Sequence, residues 1–253
     1  MQTEVKETKN EELVQELFKV GAHFGYSRSS RHSSTKPFIF GFKNKTAIID
    51  LEKTVESLEL AQNFVRELGN AKKNLLLVGT KSESKKVLRS IAESAGLAFV
   101  AERWIGGTLT NFREIKKRID RMEEIREKSE KGELSIYTKK ERGVIAKELR
   151  DLERYFDGLV GMTKLPGAIF VIDAKHESNA VAEALNLKIP VVAVCNSDCN
   201  IADLAYPIVA NDSSVSSTTF FIKKIVEAYK EGLASSKEEV KKEEIKSAEK
   251  KGE

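Results

Sequence analysis

"NLLLVGTKSESKKVLRSIAESAGLAFVA", residues 74–101, decides the fold. Its apolar start, "NLLLVG", is too short for a buried helix and has no alternation, which is the mark of a strand covered on both faces. A helical pattern follows over residues 82–95, and "TKSE" at 80–83 has the spacing of a capping box that opens a helix straight after a strand. "LAFVA" at 97–101 is a weaker second strand. Strand, helix and strand in succession predict parallel pairing, because a parallel neighbour can be reached only by a crossover.

The same rhythm recurs on either side. "TAIID" (46–50), "AIFVID" (168–173) and "VVAVC" (191–195) read as buried strands, and "YPIVA" (206–210) as a weaker one. Helical patterns fill 51–68 and 177–187, and a last helix at 215–229 closes the domain. Strands alternating with helices predict a three-layer α/β/α domain on a parallel sheet, of the flavodoxin or Rossmann type.

Residues 111–159 interrupt the pattern. They contain no strand, and their apolar residues fall into two heptad-like seams: Phe112, Ile115, Ile119 and Met122, then Ile145, Leu149, Leu152, Phe156 and Leu159. A second capping box, "TKKE" at 138–141, begins the second seam. The reading is an inserted antiparallel helical hairpin, a coiled coil, between the two parts of an α/β domain at 1–110 and 160–231. Separate packing of each helix on the core is the alternative. From 232 onward six lysines and six glutamates surround almost nothing apolar, so 232–253 is expected to be a disordered charged tail.

Of the 253 residues 40% are hydrophobic and 32% charged, the balance of a globular protein with a solvated exterior. No apolar run approaches the roughly 20 residues of a membrane span, and the first residues lack the apolar core of a signal peptide, so neither a membrane nor export is expected. Cys195 and Cys199 are expected to be reduced thiols in a cytoplasmic chain.

Charge is more informative by position than in sum. The formal charge is +4, yet residues 26–50 carry five basic residues against one acid, and 103–121 carry six against two. Two basic zones on an otherwise acidic chain point to a polyanionic partner. The first zone interleaves Tyr26, Phe38, Phe40 and Phe42 with its cations; these aromatics are compatible with base stacking, although core packing is the preferred reading.

Enzymatic signatures are missing. A Walker loop fails because Asn74 stands where the first glycine belongs and Thr80 separates Gly79 from Lys81. Gly106 and Gly107 are adjacent and cannot supply a dinucleotide fingerprint. The carboxyl ends of the strands could bring Thr80, Asp173, His176, Cys195, Asp198 and Cys199 together, and Cys195, Cys199, His176 and Asp198 form a weak candidate metal set. One CxxxC pair without a second favours ordinary strand-end packing. No cofactor is expected, and an enzyme on the same sheet architecture remains the competing class.

A resemblance narrows the choice. The motifs "G-x-HFG", "KPFIFG", "VGTK", "RW-x-GGTLTN" and "LP-x-A-x-FV-x-D", in this order across residues 13–229, resemble the bacterial small-subunit ribosomal protein S-two family. The chain departs from the family pattern at Tyr26 and over Arg31, His32 and Ser33, and keeps the positive charge of that loop. The resemblance implies an α/β/α domain with an inserted helical hairpin and a non-enzymatic role. It implies binding to small-subunit ribosomal RNA between head and body, and contact with neighbouring ribosomal proteins, including the largest, mRNA-recruiting one. The candidate RNA contacts are Arg28, Arg31, Lys36, Lys43 and Lys45 of the first zone, Lys81, and Arg103, Gly106, Gly107, Thr108, Asn111, Arg113, Lys116 and Lys117 around the glycine corner. There the adjacent glycines are expected to turn the chain, with Asn111 as N-cap and free N–H groups facing an RNA phosphate.

Overall fold

A computed structural model describes residues 2–249, with side chains described for 10–236. Five strands, β4 (Leu75–Val78), β5 (Ala98–Val100), β6 (Ala168–Ile172), β7 (Val191–Cys195) and β8 (Tyr206–Val209), form one parallel sheet in the order β5-β4-β6-β7-β8. Leu76 lies opposite Ile169, Val171 opposite Ala193, and Val194 opposite Ile208. Strand periodicity of two then sorts the side chains between faces. Leu75, Leu77, Phe170, Ile172, Val192 and Val194 join one core cluster, while Leu76, Val78, Ile169, Val171, Val191 and Ala193 join another.

The first face is covered by α2 (Leu51–Asn70), α3 (Ser82–Ala95) and α7 (Val215–Glu249), with Leu17 of α1 (Gln2–Lys19). α2 and α7 cross at Gly69 and Gly232. A Cβ on Gly69 would run into the Tyr229 carbonyl oxygen and one on Gly232 into that of Arg66, so only glycine admits this approach. Arg66 and Glu231 clamp the crossing at 3.0 Å. Gly232 thus serves a close contact instead of ending the helix. The disorder expected from 232 onward is corrected accordingly: α7 continues to Glu249, through residues dominated by the strong helix formers Lys, Glu and Ala. Residues 250–253 lie outside the described residues.

The second face is shared. α6 (Ser178–Asn186) brings Ala180 and Ala184, and the β5-to-β6 crossover brings Ile115, Ile119 and Met122 of α4 (Phe112–Glu130) together with Phe156 of α5 (Lys139–Phe156) and Leu159. These residues belong to the same cluster as Leu76, Val78 and Val100 of the sheet. The inserted helices therefore help to build the third layer. Of the second expected seam, Phe156 and Leu159 are buried and Ile145, Leu149 and Leu152 are partly buried. Ion pairs join Arg121 to Glu148 and Arg126 to Glu153. Ile115, Ile119 and Met122 of α4 and Phe156 of α5 thus share one buried cluster with the sheet.

"TAIID" also finds a different home. β3 (Thr46–Ile49) joins β1 (Phe24–Ser27) and β2 (Ile39–Lys43) in a separate antiparallel sheet of order β1-β3-β2. Its half-buried alternation differs from the fully buried β6 and β7. Asn44 and Lys45, at φ of 49° and 68°, turn β2 into β3 as the two-residue hairpin of primed type demands.

Candidate nucleic-acid interface

The small sheet and the 3-10 turn Ser33–Phe38 display the first basic zone. Arg28, Lys36, Lys43 and Lys45 are exposed and Arg31 half-buried; among the described residues none has a carboxylate partner. The guanidiniums of Arg28 and Arg31 lie 5.4 and 5.7 Å from the centre of the Phe42 ring. Phe38 packs on the core as expected, but Phe40 does not, being 82% exposed. The platform is fastened to the carboxyl end of β7. Tyr26 N–H donates to Ser197 Oγ (2.9 Å), and His32 N–H and Thr35 Oγ1 donate to the Ser197 carbonyl (2.9 and 2.8 Å). A buried Thr35 and the bonds to Ser197 hold the loop while its cations face outward.

The glycine corner is closed. Gly107, at φ 89°, makes the turn, but its N–H donates inward to Glu183 Oε1 of α6 at 2.8 Å. Trp104 Nε1–H donates to the same oxygen at 3.0 Å, and the N–H groups of Leu109 and Thr110 with the Thr110 hydroxyl donate to Oε2 at 2.9 to 3.1 Å. Burial alone would raise the Glu183 carboxyl's pKa; the Trp104 and backbone donors outweigh it and hold the value below the usual range. The anion at this turn is the protein's own carboxylate. This corrects the expected phosphate cradle, and with it the contact roles of Gly107 and of Thr108, whose buried hydroxyl donates to the Ile105 carbonyl. Asn111 occupies the N-cap of α4 without a side-chain capping bond. Gly106, Arg103, Arg113 and Lys117 are exposed and Lys116 half-buried; Lys117 pairs with Glu114 at 2.7 Å.

The crevice between β4 and β6, where the strand order reverses, is the usual ligand position of such a sheet. Here it is filled by internal pairs. Thr80 donates to Glu177 through its N–H (2.8 Å) and its hydroxyl (2.6 Å), so the predicted capping box over 80–83 is absent and Lys81 becomes the N-cap. The box over 138–141 does form. The Lys81 ammonium bonds Asp173 and Asp212, the latter at 2.9 Å, and Asn196 Nδ2–H donates to Asp212 at 2.9 Å. Lys81, expected as an RNA contact, is instead the half-buried counter-ion of two buried aspartates. Burial disfavours its charge, but the two carboxylates overcome that and raise its pKa. Burial also works against the Asp173 carboxylate, whose pKa the bonds to Lys81 and the His176 N–H hold low; Asp212 is pushed up, first by burial and then by the Asp173 charge.

The weak metal set does not assemble. Among the described residues no group of three or more His, Cys, Asp or Glu is placed to hold a metal ion. Asp198 pairs with Lys175 at 2.7 Å, His176 is exposed, and Cys195 and Cys199 are buried free thiols. Contact with Cys199 and burial push the Cys195 thiol well above its ordinary range. Glu177 and Glu183, which close the crevice and the corner, were not among the sequence candidates.

A family model described as Ribosomal protein S2 matches residues 17–232. The chain belongs to that family. It is 40% identical over 216 residues to the small ribosomal subunit protein uS2 of Endomicrobium trichonymphae, covering 85% of this chain and 88% of the relative. It is likewise 40% identical to the uS2 protein of Coprothermobacter proteolyticus (87% and 82% covered), and 39% identical to that of Geotalea uraniireducens (87% and 86%). As a member of the ribosomal protein S2 family it has a structural role in translation and is not an enzyme. No helix among the described residues is long and apolar enough to cross a membrane.

Proposed function

We propose that this S2-family protein is built into the small ribosomal subunit of the cytoplasm by its small antiparallel sheet, which binds small-subunit ribosomal RNA between head and body. The observation that carries this reading is the set of uncompensated cations Arg28, Arg31, Lys36, Lys43 and Lys45 on a fastened loop. Cations on a rigid frame meet phosphates without spending their charge on internal partners. Arg103, Arg113 and Lys116, also without ion-pair partners among the described residues, form a second contact zone at the base of α4. The outer faces of α4 and α5 support neighbouring ribosomal proteins, including docking of the mRNA-recruiting one.

The test is a filter-binding salt titration on transcribed small-subunit RNA. Replacing Arg28, Arg31 and Lys36 with alanine should lower the slope of log affinity against log salt by roughly two to three, at about 0.7 to 0.9 per phosphate contact. An unchanged slope removes this sheet from the interface. Co-sedimentation of the wild-type chain with the small subunit at moderate salt supplies the companion measurement.

A further inference from the structure

One aromatic ring of the basic sheet has no use in the fold. β2 pairs Ile39 with Ile49 but Gly41 with Ile48, so Phe40 is the extra residue of a bulge, a feature that re-aims a side chain. It points its ring into solvent at 82% exposure. Phe42 is already engaged by Arg28 and Arg31, whereas among the described residues no ring or cation stacks on Phe40. The adjoining Gly41 would meet nothing within 4 Å even with a Cβ, so the ground beside the ring is open. The same small sheet and its loops carry Lys43, Lys45, Arg28 and Arg31, the two arginines lying over the ring of Phe42 two residues along the strand.

We propose that Phe40 stacks on an unpaired RNA base whose flanking phosphates are held by these cations. This rests on the RNA-binding reading of the same sheet and names the part of the RNA that it recognises. A base in a continuous duplex has both faces covered by its neighbours, and only an unstacked base can offer one to the ring. The surrounding charge selects a polyanion over an apolar protein surface.

The experiment uses the full chain and two probes of about 12 nucleotides per strand, single-stranded oligoadenylate and a mixed-sequence RNA duplex, read by fluorescence anisotropy at one salt concentration. Phe40→Leu keeps the apolar volume and loses the π face. It should weaken oligoadenylate binding by roughly 5- to 100-fold and change duplex binding by less than about twofold. Phe40→Trp should retain affinity, and its new indole emission should be quenched by oligoadenylate above the signal of Trp104, which is buried. Unchanged oligoadenylate binding by Phe40→Leu, while alanine at Arg28, Arg31 and Lys36 weakens both probes, overturns the stacking and leaves the cationic interface standing. If the alanine variant too leaves both probes unchanged, the RNA reading of the sheet falls with it. Loss of a ribosomal-protein contact on Phe40→Leu, with oligoadenylate affinity intact, overturns the proposal in favour of a protein partner.

Discussion

The carboxyl edge of the parallel sheet and the face of the small antiparallel sheet are both rich in charge, and they dispose of it in opposite ways. At the edge, Lys81 serves two aspartates, Glu177 takes the bonds of Thr80, and Glu183 fills the glycine corner. On the small sheet five cations have no carboxylate partner among the described residues. Charge spent inside stabilises the fold and leaves nothing for a ligand; charge left open adds little stability and keeps its attraction for a polyanion. Counting basic residues along the chain cannot separate these cases. Compensation does.

The largest expected effect is at the edge. Lys81→Met leaves Asp173 and Asp212 buried without their counter-ion and should cost about 3 to 5 kcal/mol in urea unfolding. Adding Asp212→Asn should recover part of that loss, since it removes one of the stranded charges; a strictly additive pair would deny the coupling.

Glu183→Gln comes next. It keeps the shape but turns a charged acceptor of five bonds into a neutral amide with one oxygen, at a cost of about 2 to 4 kcal/mol. Because the folded pKa of Glu183 is depressed, its contribution is complete above the unfolded carboxyl value of about 4.3 and is lost as pH falls through the lower folded value. The wild type should therefore lose more stability than the variant between about pH 5 and pH 2. Asp173 adds acid-sensitivity of the same sign, while Asp212, whose folded pKa is raised, opposes it. Parallel stability-pH curves for wild type and Glu183→Gln would show that the corner does not depend on this carboxylate.

Much of the fold was legible because buried strands and amphipathic helices leave strong local patterns. "AIFVI" and "VVAVC" admit no polar face, and α3 begins and ends at the residues its pattern predicts. What escaped depended on partners distant in sequence. "TAIID" is strand-like in any sheet, and its place beside β1 and β2 is set by pairings that its own residues do not encode. Gly232 looks like a helix end until Arg66 is seen against it. The first capping motif failed because Glu177, 97 positions away, competes for Thr80. Glu183 reads as an ordinary polar position on α6, and only the Gly-Gly turn, 76 positions earlier, gives it a role. The loop cations were readable as a site, whereas Lys81 was not distinguishable from them without its aspartates.

A smaller effect belongs to the capping box that does form. Thr138→Ala removes the side-chain acceptor for the Glu141 N–H at the exposed start of α5 and should cost about 1 kcal/mol. Thr80→Ala, at the motif that does not cap, should act through Glu177 instead. In a double-mutant cycle Thr80 should couple to Glu177 and not to Glu83; coupling to Glu83 would restore the capping reading and blur the contrast between edge and surface.

The smallest stability change is expected where the charge is open. Lys36, Lys43 and Lys45 are exposed and make no ion pair among the described residues, so replacing all three with glutamine removes no internal bond. Lys45 holds a left-handed φ of 68°, a strain that glutamine inherits almost unchanged. Self-repulsion within the basic zone falls slightly, which offsets any lost packing of the aliphatic stems. The urea midpoint should move by the equivalent of no more than about 0.5 kcal/mol, the range of ordinary surface substitutions. The same variant should lose roughly two to three units of salt slope on small-subunit RNA. A stable protein with that loss would place these cations in the interface and outside the fold. A loss of 2 kcal/mol or more in stability would mean that the open charges are engaged in the native state after all, and the contrast with Lys81 would collapse.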